Sequence, residues 1–129
     1  KDKYYIEMAK TVSLRSTCLR RKYGAVIVNN DEVIATGYNG APRGEVNCCD
    51  TGICQKDLKN RPHWAGYEDC CSVHAEMNAI ISASRKAMIG GKIYLYGYDV
   101  ATNSALDAKP CPICERLIKN AGLTLAERG

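Results

Sequence analysis

His74, Glu76, Cys111 and Cys114 constrain this chain more than any other residues. They stand as His74-Ala75-Glu76 and, well downstream, Pro110-Cys111-Pro112-Ile113-Cys114. An imidazole and two thiolates fill three of the four tetrahedral positions of a zinc ion and leave the fourth to water. Zinc lowers the pKa of such a water to about 7, which makes a nucleophile available at neutral pH. Glu76, two residues beyond the imidazole, is not needed as a ligand and is suited to take that proton and hand it on. A fold that satisfies this set must bring two segments, distant in sequence, to one point.

Two plainer readings compete. A structural zinc site would close with a fourth Cys or His and has no use for a carboxylate at this offset. A Cys-x-x-Cys redox pair would not need His74.

The rest of the chain is ordinary enough to fold around such a centre. Its 129 residues fit one domain, 1–129, with a single core. Apolar residues make up 46%, as in soluble globular proteins, and no repeat or low-complexity tract interrupts them. No apolar run reaches membrane-spanning length, and Lys1-Asp2-Lys3 leads into no signal-peptide core, so a membrane role is not expected. The chain opens on Lys1 rather than an initiator methionine and is expected to be trimmed or partial. Two of its eight cysteines belong to the zinc set. Reduced, metal-bound thiols in the cytoplasm are therefore expected rather than a disulfide scaffold. A net charge of +4 suits an anionic small molecule at least as well as a polynucleotide.

Periodicity places the motifs on elements. Tyr5, Met8, Ala9 and Val12 recur at helical spacing, so Lys3 to Ser16 reads as an amphipathic helix with Asp2 as its N-cap. Tyr23–Val28 and Glu32–Tyr38 are β-rich runs joined through Asn29-Asn30-Asp31, an antiparallel hairpin. A polar, cysteine-rich loop follows over about residues 39–72, long enough to be functional, disordered or held by something. Val73 to about Met88 reads as one helix with Ala75, Ala79, Ile80 and Ala83 inward and Gly90-Gly91 at its end. Lys92–Tyr96 is a third strand, Cys111–Ala121 a third helix closed by Gly122, and Leu123-Thr124-Leu125 a final strand. Both ligand sets thus fall in first turns, where the helix dipole favours negative charge. The order hairpin, α, β, α, β after the first helix predicts a layered α/β domain.

The motif His-x-Glu with Pro-Cys-x-x-Cys is the signature of zinc nucleobase deaminases. With it come, in order, Ser16-Thr17-Cys18-Leu19-Arg20-Arg21, Gly24-Ala25-Val26-Ile27-Val28, Thr36-Gly37-Tyr38-Asn39-Gly40-Ala41-Pro42-Arg43-Gly44 and His74-Ala75-Glu76-Met77-Asn78-Ala79-Ile80. Over nearly its full length the chain resembles the deoxycytidylate deaminase family of the cytidine deaminase superfamily. The resemblance implies a three-layer α/β/α domain with a central mixed sheet. It also implies a hydrolase acting on a cyclic amidine C–N bond, converting dCMP to dUMP and ammonia for thymidylate synthesis. His74, Cys111 and Cys114 would be the ligands of the catalytic zinc and Glu76 the proton shuttle. Asn39 and Ala75 would contact the substrate's sugar or base, although Asn39-Gly40 alone reads equally well as a turn after a strand. Arg20, Lys22 and Arg43 would supply cations for the phosphate, where their bland reading is a solvated basic surface. Asn78 is expected to make structural hydrogen bonds, and Arg85 a subunit contact. The family further implies a hexamer or other homo-oligomer, and, as in many members, dCTP and dTTP as effectors.

Six cysteines remain: Cys18, Cys48, Cys49, Cys54, Cys70 and Cys71. Buried free thiols are the simplest reading, yet a loop of this length needs an organiser, and a structural zinc serves that purpose. The resemblance implies such a second zinc, with Cys18, Cys48, Cys54 and Cys70 as the best-matching ligands. Cys49, Cys71 and His63 stay open as substitutes.

The competing functions are a transfer-RNA or single-stranded-DNA base deaminase, a free cytidine or deoxycytidine deaminase, and a non-enzymatic zinc module. The first needs an extended basic groove with stacking aromatics, and this chain has no Phe and one Trp. The second has no use for Arg20-Arg21-Lys22. The third gains nothing from Glu76.

Overall fold

A strand hairpin begins the sheet. In the computed structural model, which describes residues 2–41, 44 and 73–126, β1 (Arg21–Asn29) and β2 (Glu32–Tyr38) pair antiparallel. Asn30 and Asp31 join them with φ of 52° and 61°, the left-handed pair that Asn and Asp tolerate and that matches strand twist. β3 (Lys92–Asp99) lies antiparallel along the other edge of β1, from Val28↔Lys92 to Arg21↔Asp99. The far edge of β3 is shared. β4 (Ser104–Ala105) runs antiparallel to its end, and β5 (Thr124–Leu125) parallel to its start. The sheet is therefore mixed, as expected.

Strand alternation sorts the core into two layers. Val26 and Val28 of β1 and Tyr94 of β3 meet Tyr5 and Ala9 of helix α1 (Asp2–Ser13) on one face. Ala25 and Ile27, with Ile93 and Leu95, point to the other. There they meet Ala75 and Ala79 of α2 (Ala75–Ile81), Met88 of α3 (Arg85–Met88) and Ile118 of α4 (Pro112–Asn120). This is a three-layer α/β/α arrangement, in which β1 is buried on both faces from Gly24 to Val28.

Two glycines set how closely the helices approach. A Cβ on Gly24 would strike the backbone of Ala9 and Ser13 in α1. A Cβ on Gly37 would strike the backbone of Ala75 and Ala79 in α2. The second contact matters for function, because it seats the start of α2 directly on the end of β2. Asn78 adds a bond from its Nδ2 to the Tyr38 carbonyl at 2.8 Å, the structural role expected of it.

Three local expectations are corrected. The single helix from Val73 to Met88 is two helices, because Ser84 takes extended backbone and its hydroxyl caps Ala87 N–H. Ser82 also turns its hydroxyl back onto the Asn78 carbonyl at 2.9 Å. Apolar periodicity continues through the break and conceals it. Asp2 lies within α1 rather than capping it, and its carboxylate accepts from the Tyr94 hydroxyl at 2.7 Å. The Tyr5 hydroxyl likewise donates to Asp31 at 2.6 Å, which pushes its pKa up to about 12. The third strand runs on to Asp99, and β4, a two-residue strand, follows it. Among the described residues no helix is long and apolar enough to cross a membrane.

Candidate metal centre and active site

Two helix starts converge. His74 precedes α2 and Cys111 precedes α4, each in extended backbone (φ −69°, ψ 153° and φ −66°, ψ 164°) as the residue that opens its helix. Pro112 follows Cys111 in the first turn, where its fixed φ favours the helix and its missing N–H costs nothing. Cys111 Sγ accepts from Cys114 N–H at 3.4 Å, so the spacing of the pair folds both sulfurs to one side. His74 Nδ1 then lies 3.2 Å from Cys114 Sγ and 3.6 Å from Cys111 Sγ.

These separations fit a zinc ion. Zn–S of about 2.3 Å and Zn–N of about 2.0–2.1 Å in a tetrahedron put donor nitrogen and sulfur roughly 3.5 Å apart. All three donor atoms lie within 4.8 Å of one another. The electrostatics agree. Cys114 is fully buried and Glu76 is 7% exposed. Burial pushes the Cys114 thiol well above the usual range, and the neighbouring Glu76 carboxylate and Cys111 add to the effect. A divalent metal held by His74, Cys111 and Cys114 would supply the positive charge that favours the thiolate of a sulfur so deeply buried. Glu76 sits beside the donor set as the second residue of α2.

The remaining predicted residues are placed less uniformly. Ala75 is buried at the first position of α2. His74 gives no side-chain cap there, so first-turn N–H groups are not taken up by it. Asn39 is 7% exposed, with its amide gripping the start of β1. Its Oδ1 accepts from Tyr23 N–H at 2.8 Å, and its Nδ2 donates to the Arg21 carbonyl at 2.9 Å. One amide N–H and one lone pair are left over among the described residues. Gly40 and Val73 exchange backbone bonds, which brings Asn39 close to His74. Arg20 is half-buried just before β1. Lys22 alternates with Gly24 and Val26 onto the α1 face, away from α2 and α4. Arg21 is directed to the α2 side, with Nε 4.0 Å from Asp99. Cys18 is a half-buried thiol outside any disulfide. Arg43, Cys48, Cys54 and Cys70, like Cys49, Cys71 and His63, lie outside the described residues.

Sequence reasoning missed Ser16. It is 4% exposed, its hydroxyl donates to the Asn39 carbonyl at 2.8 Å, and it accepts from Cys18 N–H at 3.2 Å. A serine in the segment just after a helix has no local pattern that announces a long-range bond.

Known proteins resemble this arrangement. The family model for the cytidine and deoxycytidylate deaminase zinc-binding region matches residues 1–126. A deoxycytidylate deaminase of Mycobacterium phage D29 is 33% identical over 127 residues, covering 95% of this chain and 88% of the phage protein. A deoxycytidylate deaminase of Schizosaccharomyces pombe is 36% identical over 130 residues, but the chain spans only 34% of that protein. Among solved structures, the dCMP deaminase of cyanophage S-TIM5 in complex with dCMP and dUMP superposes with a TM-score of 0.69 at 26% identity. That match covers 95% of this chain and 76% of the cyanophage chain.

Proposed function

This chain belongs to the cytidine and deoxycytidylate deaminase family, and we propose that it hydrolyses the 4-amino group of dCMP to give dUMP and ammonia. The observation that carries this reading is a buried carboxylate, Glu76, packed beside a His-Cys-Cys donor set spaced for zinc. The dCMP and dUMP bound by the S-TIM5 relative support the choice of nucleotide.

Zinc, when bound by His74, Cys111 and Cys114, supplies the Lewis acidity that makes water a nucleophile at neutral pH. Glu76 moves the protons. Its carboxylate takes one from the attacking water, delivers it to the ring nitrogen next to the reacting carbon, and carries the next to the departing amine. Water thus adds across the ring C=N bond, its second proton passes to the amino group, the exocyclic C–N bond breaks to release ammonia as the C=O forms, and the carboxylate returns to its starting state. Its burial keeps bulk water from competing for the proton. Ala75 N–H and the uncommitted N–H of Asn39 orient base and sugar. A cation drawn from Arg20 and Arg43 holds the phosphate, with arginine suited by its planar fork; Lys22, on the α1 face, does not reach it. Zinc-loaded protein is expected to release dUMP and ammonia in equal amounts from dCMP, measured by chromatography and an ammonia assay. Turnover no faster than a protein-free control would sink the reading.

A second, structural zinc on Cys18, Cys48, Cys54 and Cys70 belongs to the same proposal, as do homo-oligomerisation, control by dCTP and dTTP, and a cytoplasmic location. Elemental analysis of purified protein is expected to return two zinc ions per chain. One zinc per chain with Cys18, Cys48, Cys54 and Cys70 freely alkylated would remove the second site.

A further inference from the structure

Around Asn39 the structure concentrates hydrogen bonds that the proposed chemistry does not itself use. We infer that Ser16 is a positioning residue, whose buried hydroxyl fixes the Asn39–Gly40 corner and through it the approach of the chain to His74. The inference rests on the dCMP reading for its catalytic consequence, but not for its structural one.

Four segments meet at this corner. The Asn39 carbonyl accepts from Ser16 Oγ at 2.8 Å and from Thr17 N–H at 3.4 Å, at the end of the segment that follows α1. The Asn39 side chain clasps Arg21 and Tyr23 of β1. Its own N–H donates to the Tyr23 carbonyl at 3.4 Å. The next residue, Gly40, pairs with Val73, donating to the Val73 carbonyl at 3.1 Å and accepting from Val73 N–H at 2.6 Å. Val73 is the residue immediately before the His74 ligand. On the other side of Asn39, Tyr38 is bound to Asn78 of α2. Asn39 is therefore the middle of a three-residue stretch whose two flanks both hold the metal-bearing helix start.

Within this node the Ser16 hydroxyl makes its bonds inside a site only 4% exposed. It donates to Asn39 and accepts from Cys18 N–H. Removing it leaves the half-buried Cys18 N–H without its acceptor and the buried Asn39 carbonyl with only the longer Thr17 bond, where water has little access to replace the lost donor. The corner can then shift, and with it the one amide N–H that Asn39 offers to a sugar. Such a contact is made alike in ground and transition states, so its loss appears in KM rather than kcat.

The test is Ser16→Ala in the zinc-loaded protein. Amide hydrogen exchange at Gly40 and Val73 is expected to accelerate about tenfold, the cost of an unmet buried hydrogen bond. Exchange at Val26 and Tyr94 in the core should stay at the parent rate. KM for dCMP is expected to rise about tenfold with kcat within about threefold, and with zinc still bound at His74, Cys111 and Cys114. Should Ser16→Ala fail to fold, Ser16→Cys carries the same comparison, because a thiol is a weak donor. Unchanged exchange at Gly40 and Val73, uniform acceleration through the core, or a changed exchange with an unchanged KM would each overturn the inference. If the parent protein does not turn over dCMP, the functional reading fails by itself, and exchange at Gly40 and Val73 still decides the structural part.

Discussion

Glu76→Gln is expected to abolish deamination while leaving the metal in place. The amide keeps the size and packing of the buried side chain, which is 7% exposed, but it can neither accept nor return a proton. General acid–base groups contribute about 10²–10⁴-fold, and here one carboxylate acts both in activating water and in releasing ammonia. A loss at or beyond the upper end of that range is therefore expected in kcat, with little change in binding of dUMP. Steady-state kinetics with parallel zinc analysis checks this. A variant that binds zinc and turns over within a few-fold of the parent would remove Glu76 from the mechanism.

Cys114→Ser is expected to be as damaging for a different reason. Cys114 is fully buried and one of three donors, and a serine hydroxyl does not ionise to a ligand at neutral pH as a thiol does on zinc. Losing an outer-sphere partner of a metal ligand typically costs about 10–100-fold in metal affinity, so loss of the ligand itself should exceed that. The volume change is small, and the sheet should persist by circular dichroism while zinc at this centre and turnover both disappear. Retention of zinc at parental affinity would mean that the donor set is something other than His74, Cys111 and Cys114.

How far the sequence alone could reach depended on whether a feature was dictated locally. The hairpin was legible because Asn30-Asp31 interrupts two β-rich runs and both residues accept positive φ. The metal donors were legible because zinc chemistry requires those atom types whatever the fold. Helix α4 was legible to within a residue or two, since Cys111 and Gly122 bracket it. The break between α2 and α3 was not, because Ile80 and Ala83 continue the apolar period while the Ser84 cap acts against it. Asp2 had the chemistry of an N-cap, but Tyr94, far along the chain, claims its carboxylate. The Asn39 corner was read only in outline. Its residues read in sequence as a turn or a sugar contact, whereas the bonds that define it join Ser16, Arg21, Tyr23 and Val73 across the fold. Lys22 shows the same limit. Strand parity, which needs the sheet, sends it to the α1 face, although the sequence sets it beside Arg20.

The most direct measurement of the central claim compares dCMP, deoxycytidine and a single-stranded cytosine-containing oligonucleotide as substrates of the zinc-loaded protein under one set of conditions. The phosphate of dCMP, held by charge-assisted hydrogen bonds that are roughly twice as strong as neutral ones, should make its kcat/KM much the highest of the three. Equal kcat/KM for dCMP and deoxycytidine, or a preference for the oligonucleotide that falls steeply with salt, would contradict the account.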